Sequence, residues 1–308
     1  MLCVELGPDD DLQKEFDGLE PGMRVTLKPG VYRQKIEINT PNLTVIGSGA
    51  EETRIVYGDY AKKPDEFRRE LLTFRTYTVA VCAPGVILKD LTIENDALHP
   101  EERGQEVALT VYEDDFSAER VRLLSTQDTL FLGPLPFDLT QRYAGFLKEK
   151  LLAFKPMRQI FKDCLIAGTV DFIFGCGDAL FENCEIRSLK DARGGGYVAA
   201  PAHGLEDKVG FVFKDCRLTS EEGVGQESIW LARPWRDYGL VTFVNCTYGS
   251  HIKKEGFDKW GDSDRDKTAR FYEDHKNEGR VQWSKEAPET FVRELLDSFY
   301  GSSSAGET

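Results

Sequence analysis

Asp171 stands in "GTVDFIFG" (168–175), the one acid in a run of Gly, Thr, Val, Ile and Phe that otherwise reads as buried strand. An ionised carboxylate in such a setting is very costly unless it is paired, neutralised or used in a reaction. Three further segments set a polar or aromatic group beside a strand-like run. "GQEVAL" brings Gln105, "QDTLF" brings Gln127 and Asp128, and "LARPW" brings Arg233 and Trp235. Two acids in different environments can divide the work of nucleophile, acid and base, while amides and a guanidinium can stabilise developing negative charge or hold a carboxylate in place. Paired acids alone do not separate an esterase from a glycosidase.

These groups are far apart in sequence, so the fold must gather them. From about residue 40 to 250 the chain repeats one local pattern: "LKDLTI", "AERVRL", "FKDCLI", "FENCEI", "FKDCRL" and "FVNCTY" share a register at Leu91, Val121, Cys164, Cys184, Cys216 and Cys246. The intervals are 30, 43, 20, 32 and 30 residues, a solenoid scale. The runs alternate with period two, are rich in Val, Ile, Phe and Thr, and are bounded by Gly and Asn, which argues for strands and against helical repeats. The expected fold is all-β: a right-handed, single-stranded parallel β-helix in one catalytic unit over 1–300. On successive turns of such a coil the four polar groups can share one face.

Open coil ends need cover. "DDDLQKEFDGL" near the start and "APETFVRELLDSFY" (287–300) carry helical patterns and are expected as short caps. The segment at about 131–157 is too long for a simple turn and is expected as an inserted loop walling a cleft. "GSSSAGET" (301–308) is expected to be a disordered tail. Seven cysteines without a CxxC pair argue against a disulfide framework or zinc knuckle, and the four in the repeat are expected as inert interior residues. The net charge of −14 argues against nucleic-acid and anionic-membrane partners, and no apolar run is long enough to span a bilayer. The N-terminus shows no secretory signal pattern, so cytoplasmic location is expected, with secretion after signal removal as the alternative. A monomer is expected.

Taken together, "GQEVAL", "QDTLF", "GTVDFIFG", "LARPW" and the later "GFDKWGDSDRDKTARFYED" resemble the pectin methylesterase (pectinesterase) family over roughly residues 20–285. The long insertion is similar to that of bacterial members. The resemblance implies a right-handed parallel β-helix that hydrolyses the methyl ester of galacturonate units in pectin or oligogalacturonides, without cofactor or metal. Carried over position by position, it implies Asp171 as nucleophile, Asp128 as general acid and then base, Gln105 and Gln127 as oxyanion donors, Arg233 as the partner of Asp171, and Trp235 as part of the sugar-binding wall. Trp260, Phe131 and Phe172 are further candidates for stacking on sugar rings. A guanidinium beside Asp171 is expected to lower its pKa, and Asp128, near that charge and desolvated, to have its pKa raised.

Two positions depart from the family pattern. Ala232 stands where Gly is usual before Arg-Pro-Trp, and Ala199 in "GYVAAPAH" stands where Thr is frequent, which would remove a polar contact to the sugar. Rival readings are another β-helix hydrolase such as a polygalacturonase, and a non-catalytic carbohydrate-binding β-helix. Two decoys are set aside. Asp262, Asp264, Asp266 and Glu273 imitate a calcium loop, but Lys267 takes the position that needs Gly, and "RGGGY" (193–197) lacks the lysine of a phosphate loop and reads as a flexible turn. None of His99, His203, His251 and His275 falls within the motifs, so a serine–histidine mechanism has little support.

Overall fold

The computed structural model describes residues 2–97, 104–145, 147–152, 155 and 157–301. His99 and residues 302–308 of the expected tail lie outside them. Among the described residues, successive turns lay short strands onto three parallel sheets of eleven, seven and eight strands, with sequence-distant strands as neighbours throughout. This is a parallel β-helix, with one continuous apolar core running from Leu6 to Phe271.

The repeat seen in the sequence is the corner between two of these sheets. Asp90, Arg120, Asp163, Asn183, Asp215 and Asn245, each immediately before an aligned position, all have φ between 49° and 55°. A single left-handed residue breaks the strand and turns the chain, and Asp and Asn adopt that conformation most readily among residues with a side chain. Just inside the corner, the thiols of Cys164, Cys184, Cys216 and Cys246 donate to carbonyls one turn earlier, at 3.3–3.5 Å. All four are free. Phe161, Phe181, Phe213 and Phe243 are register partners on consecutive strands. Their rings stack at 5.0, 4.6 and 4.7 Å between centroids. A one-residue slip would turn this aromatic column out of the core, so it pins the register.

The helix Leu12–Asp17 starts at Asp11, whose carboxylate accepts from the Lys14 N–H, and buries Leu12 and Phe16 at the N-terminal end of the core. The C-terminal helix Glu289–Tyr300 forms as expected, but it covers a flank of the coil. Its Leu295 and Phe299 pack on Leu180 and Val212, which face outward from the eleven-stranded sheet between the inward-facing Ala179, Phe181, Phe211 and Phe213. Those two outward apolar side chains require cover. At the C-terminal end Trp283 packs on Phe271 and Phe257. Among the described residues no helix is long and apolar enough to cross a membrane.

The insertion leaves the coil after the strand Leu130–Leu132 and rejoins it at the strand Arg158–Lys162. It contains the helix Phe137–Tyr143, which is tied down by Asp138, a two-pronged partner of Arg236 at 2.9 and 2.7 Å. This brings Leu139, Arg142 and Tyr143 against the outer face of the seven-stranded sheet.

Candidate active site

Asp128 and Asp171 sit at corners that lead into the seven-stranded sheet, with φ of 65° and 50°. Because Leu130 pairs with Ile173, the two acids hold the same position on consecutive turns. The Asp128 N–H donates to the carbonyl of Val170, the residue before Asp171, at 3.0 Å. Neighbouring parallel strands lie about 4.8 Å apart, which sets the rung spacing between the acids. Left-handed backbone at a non-glycine residue costs on the order of 1 kcal/mol and recurs where a side chain must be aimed.

Arg233 follows the strand Ile229–Ala232 two turns on. Its Nε and Nη2 donate to the two carboxylate oxygens of Asp171 at 2.8 and 2.6 Å. Its guanidinium is held between the rings of Tyr197, at 3.8 Å, and Trp260, at 4.0 Å. Gln105 and Gln127 both line the cleft above the acids. Glu106 braces the pair: its N–H donates to the Gln127 carbonyl at 3.0 Å, its carbonyl accepts from the Ser125 hydroxyl at 2.5 Å, and its carboxylate accepts from the Thr126 hydroxyl at 2.6 Å.

Both acids are nearly fully buried. Burial pushes Asp128 far above the ordinary carboxylate range, and the charge of Asp171 pushes it further, against weaker opposing effects from Gln127, Arg233 and Arg193. Burial also raises Asp171, and the Arg233 pair draws it back without overcoming burial, so its pKa lies above the ordinary value. This corrects the expectation that Arg233 would lower it on balance. The contrast between the acids survives, because Asp171 alone has a guanidinium bonded to it. Of the two, Asp171 ionises first and Asp128 keeps its proton to higher pH.

The cleft holds about 460 Å³. Trp235 and Trp260 line it as expected. Phe131 and Phe172 do not, and both are fully buried. Phe172 comes directly after the Asp171 corner and points into the coil, where it joins the main core. Phe131 faces outward but lies under Phe74, 4.6 Å away, and Phe174, 5.1 Å away. Phe174, its register partner on the next turn, takes the place at the cleft surface, edge-on to Trp235 at 5.7 Å. Ala199 is fully buried in the core, so a side chain there would face the interior, and the loss of a sugar contact expected at this position does not apply. Ala232 is not among the positive-φ residues, so it replaces Gly without backbone strain.

Several further residues at the site carry no signal in the sequence. Phe174 is one, because its outward direction depends on how the chain leaves the corner at Asp171. Tyr143 reaches the cleft from the insertion, and Tyr197 and Arg193 come from the "RGGGY" turn, for which the sequence predicts only flexibility. Nothing in their local pattern marks them. In the acidic decoy, Glu273 is buried and paired with Arg280 at 2.7 Å, and Asp264 pairs with Lys267. His203 is an internal strut, its ring bonded to the Gly177 carbonyl and the Leu240 N–H.

A pectinesterase family model matches residues 12–134 and 147–287, the unmatched stretch falling inside the insertion. The chain is similar to Pectinesterase 31 of Arabidopsis thaliana, 30% identical over 276 residues that cover 85% of this chain and 77% of that protein. It is 31% identical over 314 residues to Probable pectinesterase/pectinesterase inhibitor 64 of the same plant, with 94% of this chain aligned, and spans 46% of that relative's length. In fold it is similar to the pectin methylesterase from carrot, with a TM-score of 0.80 at 23% identity, covering 96% of this chain and 92% of that one. The likeness makes the coil a right-handed parallel β-helix. With the family model matched along both sides of the insertion, and the acids, amides and arginine of the family's motifs gathered in one cleft, the chain belongs to the pectinesterase family.

Proposed function

We propose that this chain hydrolyses the methyl ester of galacturonate units in pectin or its oligomers, leaving a free carboxylate and releasing methanol. The observation that supports this most is the asymmetry of the two acids. Asp171 is gripped by both prongs of Arg233, whereas Asp128, one rung away, has no ion pair among the described residues.

In the first step an oxygen of ionised Asp171 attacks the ester carbonyl carbon, and the carbonyl oxygen becomes an oxyanion. Amide N–H groups of Gln105 and Gln127 bind that charge, at about 3–4 kcal/mol for a well-aimed donor. The C–O bond to the methoxy group then breaks, and Asp128 gives that oxygen its proton, so methanol leaves and an acyl group remains on Asp171. In the second step Asp128, now ionised, takes a proton from water. The hydroxide attacks the acyl carbon and Asp171 departs as carboxylate. Arg233 keeps Asp171 oriented throughout, and Trp235 and Trp260 offer faces and edges to the pyranose rings.

The cleft continues past Arg233 onto a shelf of about 530 Å³ bearing Tyr197, Trp230 and Lys253, room for more than one sugar unit. Methanol release and reducing-end release, measured on methylated pectin and on methylated oligogalacturonides, separate the esterase from a glycosidase. Asp171→Ala is expected to abolish methanol release. Full activity in that variant, or new reducing ends in place of methanol, would refute the proposal.

A further inference from the structure

Arg193, on the Gly-rich turn between the strands Glu185–Ser188 and Gly196–Pro201, is outside every family motif and reaches into the site. Its Nε and Nη2 are fixed by the two oxygens of Asp191, each at 2.7 Å, and its own N–H donates to Asp191 at 2.8 Å. The remaining prong, Nη1, donates to Oε1 of Gln127 at 3.3 Å. We propose that Arg193 is a positioning residue that holds the Gln127 amide with its oxygen turned away from the reaction and its NH₂ turned toward Asp128 and the ester. This rests on the esterase reading above.

The amide has a competing arrangement. Protonated Asp128 is a hydrogen-bond donor, and the Gln127 side chain already bonded to it would, if flipped, offer it the amide oxygen. In that flipped state the oxyanion meets an amide oxygen, and the proton meant for methoxide is tied up. Arg193 removes the alternative by occupying Oε1 with a charged donor that cannot accept. Asp191 holds the guanidinium so that its free prong points at Gln127. The groups facing Asp128 are then Asp171, Arg233, Arg193, Tyr143 and Gln127. Of these, Arg193 is a cation not otherwise bonded to the reacting acids.

The test is methanol release from a methylated oligogalacturonide across pH with Arg193→Met, alone and in a Gln127→Ala background. Arg193→Met is expected to lower kcat about 10-fold, less than outright loss of an oxyanion donor. KM should stay nearly unchanged, and the alkaline limb of the profile should move to higher pH because a cation facing Asp128 is gone. In the Gln127→Ala background the same change should cost no further kcat. Wild-type kcat in Arg193→Met, an unmoved alkaline limb, or an undiminished loss in the Gln127→Ala background would each overturn the assignment. Asp171→Ala, measured alongside, separates this failure from that of the reading itself, since only the latter predicts surviving activity there.

Discussion

Replacing Arg233 by Met isolates the contact on which the division of labour between the acids depends. The change removes two hydrogen bonds, at 2.8 and 2.6 Å, and leaves a buried carboxylate without its ion-pair partner. Breaking a buried pair from one side costs roughly 3–5 kcal/mol. The side chains here are 20% and 11% exposed, so the lower end applies, about 3 kcal/mol. Asp171 escapes part of that cost by taking up a proton, since burial then acts on it with only the weaker charge of Arg193 opposing it. Each 1.36 kcal/mol is one decade in the ionisation equilibrium, so the ionisation constant of Asp171 falls about 10²-fold, and at pH below its pKa the nucleophilic form becomes rarer by that factor. On the acid limb methanol-release kcat/KM should fall by about that factor, and the limb should move to higher pH. Raising the pH restores only part of the rate, because Asp128 must keep its proton in the acylation step. Arg233→Lys keeps the charge but not the fork or the fit between Tyr197 and Trp260, and should lose only about 10-fold. Arg233→Met activity within about 3-fold of wild type on the acid limb, or an unmoved acid limb, would refute this role of the ion pair.

Asp128→Asn should cost 10²-fold or more in kcat through loss of the proton donor, on the order of general acid catalysis. Its stability should go the other way: the folded pKa of Asp128 is raised, so the acid's contribution is complete below the ordinary Asp range and is lost as pH rises through the folded value. Denaturant melts of Asn variant and wild type should diverge in favour of Asn with rising pH. His203 titrates near 4 instead of 6.5 because burial disfavours its charge, so its contribution is present above about 6.5 and lost as pH falls toward 4, a span of about 3 kcal/mol. His203→Asn should flatten the melting profile across that window. The net charge of −14 predicts that demethylated product binds weakly and that salt relieves the repulsion. The cleft itself carries Lys62, Arg142, Arg233 and Arg236 against Glu70, Asp128 and Asp171, and the shelf adds Arg193 and Lys253 against Glu227. Charges within a Debye length dominate, so inhibition by oligogalacturonate should weaken as salt is added; strengthening would mean that overall charge governs.

The coil, its repeat and the two cleft acids were legible because each depends on a local pattern. A corner that needs a left-handed residue before a buried one writes the same few letters on every turn. The 43-residue interval between Val121 and Cys164 is also the separation of Asp128 and Asp171, so the repeat alone set the two acids at equivalent positions. Which face an aromatic beside a corner takes was not legible: Phe172 turns inward and Phe174 outward because the chain changes direction at Asp171. The net pKa of Asp171 needed the depth of the cleft, where burial outweighs Arg233. Arg193 and Tyr143 needed the tertiary structure altogether, since a loop's reach is decided by what it is tied to: Asp191 for one, the Asp138–Arg236 pair for the other. Period and corner chemistry are properties of neighbouring residues and survive in the sequence. The side from which a loop closes over a cleft, and the balance of burial against charge inside it, arise only when distant turns are packed together.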